Sequence, residues 1–148
     1  MKHVDIYLAA DAPFHDMHPK DRIVAYLFEC DGKQFEPKAF NVRSSFGNRA
    51  ALLGLLAALR KFRHEAEIEV HADCIYLVSQ INRGNIYRWM DSKGTRYGGS
   101  PIRYHDEWME VLAIINAKCS GRIKANREMS KECLEVLKNC ISDMKEPL

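Results

Sequence analysis

The hydrophobic period switches between that of a strand and that of a helix several times along the chain, and this order limits it to a mixed α/β fold. Val4, Ile6 and Leu8 alternate with Asp5, Tyr7 and Ala9, the pattern of a strand with one apolar face, and the run ends at Asp11-Ala12-Pro13. Parity places Asp11 on the face opposite the Val4 row. Ile23–Cys30 and Gln34–Val42 are two further apolar-rich runs around Asp31-Gly32, a dipeptide typical of tight hairpins, which predicts a three-stranded meander. Leu52, Leu53, Leu55, Leu56 and Leu59 then follow helical spacing, with Ser44 and Ser45 as candidate caps and Lys61, Arg63 and His64 at the far end.

Glu67–Ala72 alternates again as a strand, and Asp73 closes it. Ile75, Leu77, Val78 and Ile81 predict a helix stopped by Gly84, and Asn85–Met90 a further helical turn. Residues 91–100 are Gly-rich and basic. Pro101–Ala117 reads as a helix with Trp108, Val111, Leu112 and Ile115 inward, Arg122–Asn126 as a short strand, and a last helix starts near Ser130 with Cys133, Val136, Leu137, Cys140 and Ile141 as its apolar stripe.

At 148 residues the sequence fits one domain, residues 1–148, and no Pro/Gly/Ser linker or repeat divides it. A hydrophobic share of 47% with 28% charged residues excludes disorder, and no run approaches the roughly eighteen apolar residues of a membrane span. Met1-Lys2-His3-Val4-Asp5 leads straight into a strand without a secretory pattern, so a cytoplasmic location is expected. Five scattered cysteines, never Cys-x-x-Cys, read as reduced, packed thiols. The net charge of +2 hides a local imbalance: Arg83–Arg103 holds Arg83, Arg88, Lys93, Arg96 and Arg103 against Asp91 alone, with Tyr87, Trp89 and Tyr97 interleaved. Cations and aromatics so mixed can grip phosphates and stack on bases, although Trp89 and Trp108 are better read as core.

The residues also resemble a family. Asn48-Arg49-Ala50-Ala51-Leu52-Leu53, followed by a strand ending His71-Ala72-Asp73-Cys74-Ile75-Tyr76-Leu77-Val78, is similar to type 1 ribonuclease H, where a helix opens Asn-Arg-x-Glu-Leu and the next strand ends Ser-Asp-Ser-x-Tyr-Val. Ile6–Pro13 resembles the family's first strand, which ends Thr-Asp-Gly-Ser, and Trp89, Pro101, Asp106 and Trp108 resemble its basic handle. Arg127-Glu128-Met129-Ser130-Lys131-Glu132-Cys133-Leu134 is similar to a family ending Arg-Glu-x-Asn-Lys-Glu-Ala-Asp. The resemblance implies a ribonuclease H-like fold: a five-stranded mixed sheet, three antiparallel strands then two parallel, flanked by helices.

It also implies a chemistry in which four carboxylates clamp two Mg²⁺ around a scissile phosphate. Two of those acids are matched, Asp11 and Asp73; the other two positions hold Ala51 and Leu134. Two carboxylates offset the mutual repulsion of two divalent ions poorly. A single weak, substrate-dependent Mg²⁺ or Mn²⁺ at Asp11 and Asp73 is the cofactor expectation, and Glu128 and Glu132 flank the fourth position as candidate substitutes. The expected function is binding of an RNA/DNA hybrid or another A-form-like duplex, with cleavage absent or weak. Asn48, Arg49, Arg88, Lys93, Arg96 and Arg103 are the candidate contacts. Two other readings stay open: an active metal-dependent hybrid endonuclease using noncognate ligands, and a protein-interaction module on the same scaffold. His15, His18, Asp16 and Asp21, in the loop after Asp11, read as a solvated loop; His71 shares the strand face of Asp73 and could sit near the cleft, but a satisfied core histidine is the commoner case.

Overall fold

A computed structural model describes residues 2–119 and 122–145. The elements run β1 (Lys2–Ala10), β2 (Lys20–Cys30), β3 (Lys33–Gln34), β4 (Lys38–Ser45), α1 (Gly47–Leu59), β5 (Ala66–His71), α2 (Ile75–Asn82), α3 (Asn85–Ser92), α4 (His105–Lys118), β6 (Ile123–Asn126) and α5 (Lys131–Lys145). They form one mixed sheet in the order β3-β2-β1-β5-β6, with β4 also paired to β2. β2 runs antiparallel to β1, β3 and β4, whereas β1, β5 and β6 are parallel. The expected third strand is therefore two strands sharing one place in the sheet. The break at 35–37 contains Pro37, which has no N–H to give to a ladder.

Side-chain alternation divides the molecule into three layers. The even-numbered face of β1 (Ile6, Leu8), with Val24, Tyr26, Ile68 and Val70, packs against α1, α2 and α4 through Leu52, Leu55, Leu59, Leu77, Trp108 and Ile115. The odd face (Tyr7, Ala9), with Ala25 and Leu27, takes Cys133, Leu137 and Ile141 of α5. Trp108 is fully buried and its indole N–H donates to Tyr76 Oη at 2.9 Å, while half-buried Trp89 packs on it at 5.1 Å between ring centroids. All five cysteines are free, and burial pushes Cys74 and Cys119 up to about 11 and about 12, so neither is a ready thiolate nucleophile.

Several expected caps are not made by the residues named for them. Ser44 and Ser45 lie in β4, and α1 starts after an extended Phe46 without a side-chain cap bond; the Ser45 hydroxyl donates instead to the Phe46 carbonyl. The helix expected from Pro101 starts at His105, because 101–104 are folded back on the preceding loop. Ile102 N–H donates to Gly94 O at 2.8 Å, Pro101 bridges Thr95, and Tyr104 turns left-handed at φ 57°. Ser130 does cap α5, accepting Cys133 N–H at 3.2 Å.

The loop after β1 is held by two features. Arg22, 1% exposed, donates through Nε to Ser45 O (2.7 Å) and through Nη2 to Asp16 O (3.0 Å) and His18 O (2.9 Å). Gly47 donates its N–H to Asp16 O at 2.9 Å, and a Cβ built there would lie 2.0 Å from Phe14 O. Only a residue without Cβ lets the start of α1 approach the loop so closely. Gly47→Ala is therefore expected to lower stability by about 2 kcal/mol or more, read as a fall in the urea midpoint at unchanged slope.

Candidate functional site

Parallel pairing aligns the carboxyl ends of β1 and β5. The register sets Tyr7 beside His71, so Asp11 and Asp73 emerge from adjacent strands at the same edge. They line one cleft of about 470 Å³ together with Pro13, Arg127, Leu134 and Lys138. Leu134, where the family resemblance expects an acid, faces this cleft, whereas Ala51 is fully buried in the core. Glu128 and Glu132 are not among the lining residues; Glu128 borders a separate depression beside His71.

Each cleft carboxylate is already occupied by a protein cation. Asp73 Oδ1 accepts from Arg127 Nε at 2.9 Å and Nη2 at 2.8 Å. α2 starts at Ile75 after an extended Cys74 that makes no side-chain cap bond. Asp11 Oδ1 accepts Ile23 N–H at 3.0 Å, and Lys145 Nζ lies 3.5 Å from its Oδ2. Divalent ions need hard oxygens turned toward them, and here a guanidinium and an ammonium hold that ground. The donor set does not fit a pair of divalent ions. Among the described residues, the cluster of three converging His or acid donors lies elsewhere, at His3, Asp5 and Glu69.

The loop 15–21 contributes no ligand to the cleft. His18 and Lys20 close on Asp16, whose carboxyl is held well below the usual range chiefly by the His18 N–H, and Asp21 accepts Ser44 N–H at 3.0 Å.

The expected nucleic-acid contacts fall into two groups. Asn48 sits in the first turn of α1, its Oδ1 accepting from the Cys74 thiol at 3.7 Å and its amide nitrogen donating to Met17 Sδ at 3.8 Å. Arg49 donates to Glu107 Oε2 at 3.0 Å, a bond that ties α1 to α4. Arg96 and Arg103 line a common groove with Tyr76, Gln80, Asn85 and Trp89. Arg103 lies over the rings of Phe46 and Tyr104 at 5.8 and 5.1 Å, which brings the handle up to the start of α1. Arg88 is exposed and bonds Asn85 of the same groove; Lys93 is exposed at the left-handed end of α3. Tyr97 stands fully in solvent. The cleft cations Arg127, Lys138 and Lys145 were invisible as site residues in the sequence, because the helix that presents two of them reads there only as an apolar stripe.

No family model matches the chain. Ribonuclease H of Chlorobium phaeobacteroides is 29% identical over 68 residues, 46% of this chain and 47% of that protein, and ribonuclease H of Chlorobaculum parvum is 25% identical over 67 residues. The chain thus spans about half the length of the curated relatives it matches. Over nearly its full length it superposes on the RNase H domain of prototype foamy virus (TM-score 0.68, 11% identity, 97% of this chain and 94% of that one). It likewise matches RNase H1 of Halobacterium salinarum (TM-score 0.58, 15% identity, 95% and 98%). A foamy viral protease-reverse transcriptase solved with an RNA/DNA hybrid also matches (TM-score 0.58, 12% identity, 96% of this chain and 20% of that one). The fold is the ribonuclease H fold. The architecture is shared over nearly the whole chain, and the sequence likeness to proteins named ribonuclease H covers about half of it.

In the native chain, millimolar Mg²⁺ should leave the melting temperature unchanged, whereas the Arg127→Ala/Lys145→Ala variant, with both carboxylates vacated, should gain a Mg²⁺-dependent rise. Both cations are half exposed, so their removal alone should cost under ~1 kcal/mol. A second outcome concerns the handle. Both ring nitrogens of His105 face acceptors, Asp106 Oδ1 and Lys93 O at 3.1 Å each, and its pKa is raised, first by the Asp106 bond and then by the carbonyl. The extra stability of the protonated ring is complete below the unfolded value and is lost as pH rises through the raised folded value. NMR titration should give His105 a midpoint above that of the urea-unfolded chain.

Proposed function

We propose that this protein binds an RNA/DNA hybrid or a similar A-form duplex without cutting it, its cleft engaging phosphates through side-chain cations where the family places metal ions. One observation carries the reading: Arg127 and Lys145 sit on the two remaining acidic groups, with Leu134 lining the cleft. A guanidinium or ammonium attracts a phosphate but neither ionises a water for in-line attack nor clamps the leaving oxygen, so affinity survives and hydrolysis does not. The groove of Arg96 and Arg103, with Arg88 and Lys93 beside it, supplies a second set of phosphate contacts. An A-form duplex is recognised through shape, phosphates and 2′-hydroxyls, and none of these contacts requires chemistry at the cleft. The hybrid held by the foamy viral relative supports this choice of ligand.

The test is hybrid binding by fluorescence anisotropy across a salt series in EDTA, in Mg²⁺ and in Mn²⁺, with gels for cleavage. Binding should be metal-independent and fall steeply with salt. Arg96→Glu/Arg103→Glu should weaken it by tenfold or more and flatten the salt slope by about two, roughly one for each phosphate no longer neutralised. Cleavage in the native chain that disappears in Asp73→Asn would establish an active endonuclease instead. Absence of binding to any duplex, with the handle variant indistinguishable from the parent, would leave the protein-interaction reading.

A further inference from the structure

Helix α5 covers only part of its face of the sheet. It packs on β2, β1 and β4, and beyond it the odd-numbered side chains of β1 and β5 form a polar strip. Parallel register sets His3 beside Glu67, Asp5 beside Glu69 and Tyr7 beside His71. Three of these, His3, Asp5 and Glu69, converge, and His71 closes on two of them. His71 Nε2 lies 2.8 Å from Asp5 Oδ1 and 3.7 Å from Glu69 Oε2, and His3 Nε2 lies 3.3 Å from the same Asp5 oxygen. One donor atom each from His3, Asp5 and Glu69 all fall within 4.8 Å of one another. A tetrahedral ion with nitrogen and oxygen ligands at roughly 2.0–2.2 Å places its donors roughly 3.3–3.6 Å apart, close to the 3.3 Å from His3 to Asp5 and the 3.7 Å from His71 to Glu69, whereas the 2.8 Å from His71 to Asp5 is a hydrogen bond that an ion would open.

The hydrogen bonds around His71 select its tautomer. Asn126 Oδ1 accepts Glu128 N–H at 3.0 Å while its amide nitrogen donates to Glu69 Oε2 at 2.8 Å, which fixes the amide orientation. His71 Nδ1 therefore meets two acceptors, Asn126 Oδ1 and Glu128 O, both at 3.3 Å, and carries the proton. Nε2 then faces Asp5 Oδ1 and Glu69 Oε2, and Lys124 Nζ lies 3.3 Å from Glu69 Oε1 at the outer side, a cation that an entering ion would displace. An imidazole fixed through Nδ1 by a carbonyl, with its other nitrogen among acids, is the outer support that metal-binding histidines have. Tyr7 stacks on the ring at 4.5 Å and holds its plane. The side chains of Asp5, Glu69 and His71 are 22, 20 and 13% exposed, sheltered yet open to an entering ion.

We propose that His3, Asp5, Glu69 and His71 form a binding site for a divalent transition metal of the Zn²⁺ class, separate from the cleft and joining β1 to β5. Two imidazoles with two carboxylates favour Zn²⁺ or Co²⁺ over Mg²⁺, which prefers oxygen ligands and retains its waters.

The test uses the full chain stripped with EDTA and titrated calorimetrically with Zn²⁺, together with Co²⁺ spectra. One equivalent should bind, the melting temperature should rise with excess Zn²⁺, and Co²⁺ should give the intense visible bands of a tetrahedral nitrogen and oxygen site. His3→Gln and His71→Gln should each weaken Zn²⁺ binding at least tenfold, with Glu110→Gln as an unaffected control. Absence of binding, binding that both histidine variants retain, or a thiolate-to-cobalt charge-transfer band would each overturn the proposal. Should His71→Gln fail to fold, the His3→Gln titration and the native Co²⁺ spectrum still decide.

Discussion

The structure depends on the parallel pairing of β1 with β5. β1 is the strand at which the sheet changes sense, antiparallel toward β2 and parallel toward β5, and the crossover through α1 is what allows the change. Parallel strands end on the same side, so Asp11 and Asp73, separated by about sixty residues in sequence, share one cleft. The same register brings Asp5, Glu69 and His71 together further back along the strands. One pairing thus generates two separate groupings of titratable side chains, one at the strand ends and one on the open face.

Much of this was legible in the chain itself. The two-residue period of β1 and β5 and the helical stripes of α1 and α5 reflect burial of one face, a property that side-chain identity records directly. The layer assignments of Leu8, Leu55, Trp108 and Leu137 accordingly hold. The helix starts were less legible: Ser44 and Ser45 have the chemistry of caps, but strand pairing with β2 claims them first, and Pro101 suits a first turn that the backbone delays to His105. In the cleft, strand position located Asp11 and Asp73, while the cations facing them have no signature of their own in the sequence. Lys138 and Lys145 resemble any solvated basic residues until the docking angle of α5 aims them, an angle set by packing of Cys133, Leu137 and Ile141, and Arg127 until the end of β6 carries it beside Asp73. The His3, Asp5, Glu69 and His71 cluster was hidden for a related reason, since cross-strand neighbours are far apart in the chain.

The cations that meet the cleft carboxylates are supplied by the protein itself. Divalent ions between carboxylates can be removed or exchanged, whereas Arg127 and Lys145 are covalently part of the molecule, so the electrostatic state of the cleft is present whenever the chain is folded. Together with Lys138 they leave a cation excess over Asp11 and Asp73 on the wall that a phosphate backbone would meet.

Arg22 gives this arrangement a further property. Its guanidinium fixes the loop after β1 from beneath, through carbonyls of Asp16, His18 and Ser45, with no participation from the cleft side. The path of the loop is therefore carried mainly by Arg22, while Asp11 contributes both charge and a bond from Ile23 N–H. The cations facing the cleft can be exchanged across generations, or by design, while the loop beside them keeps its path.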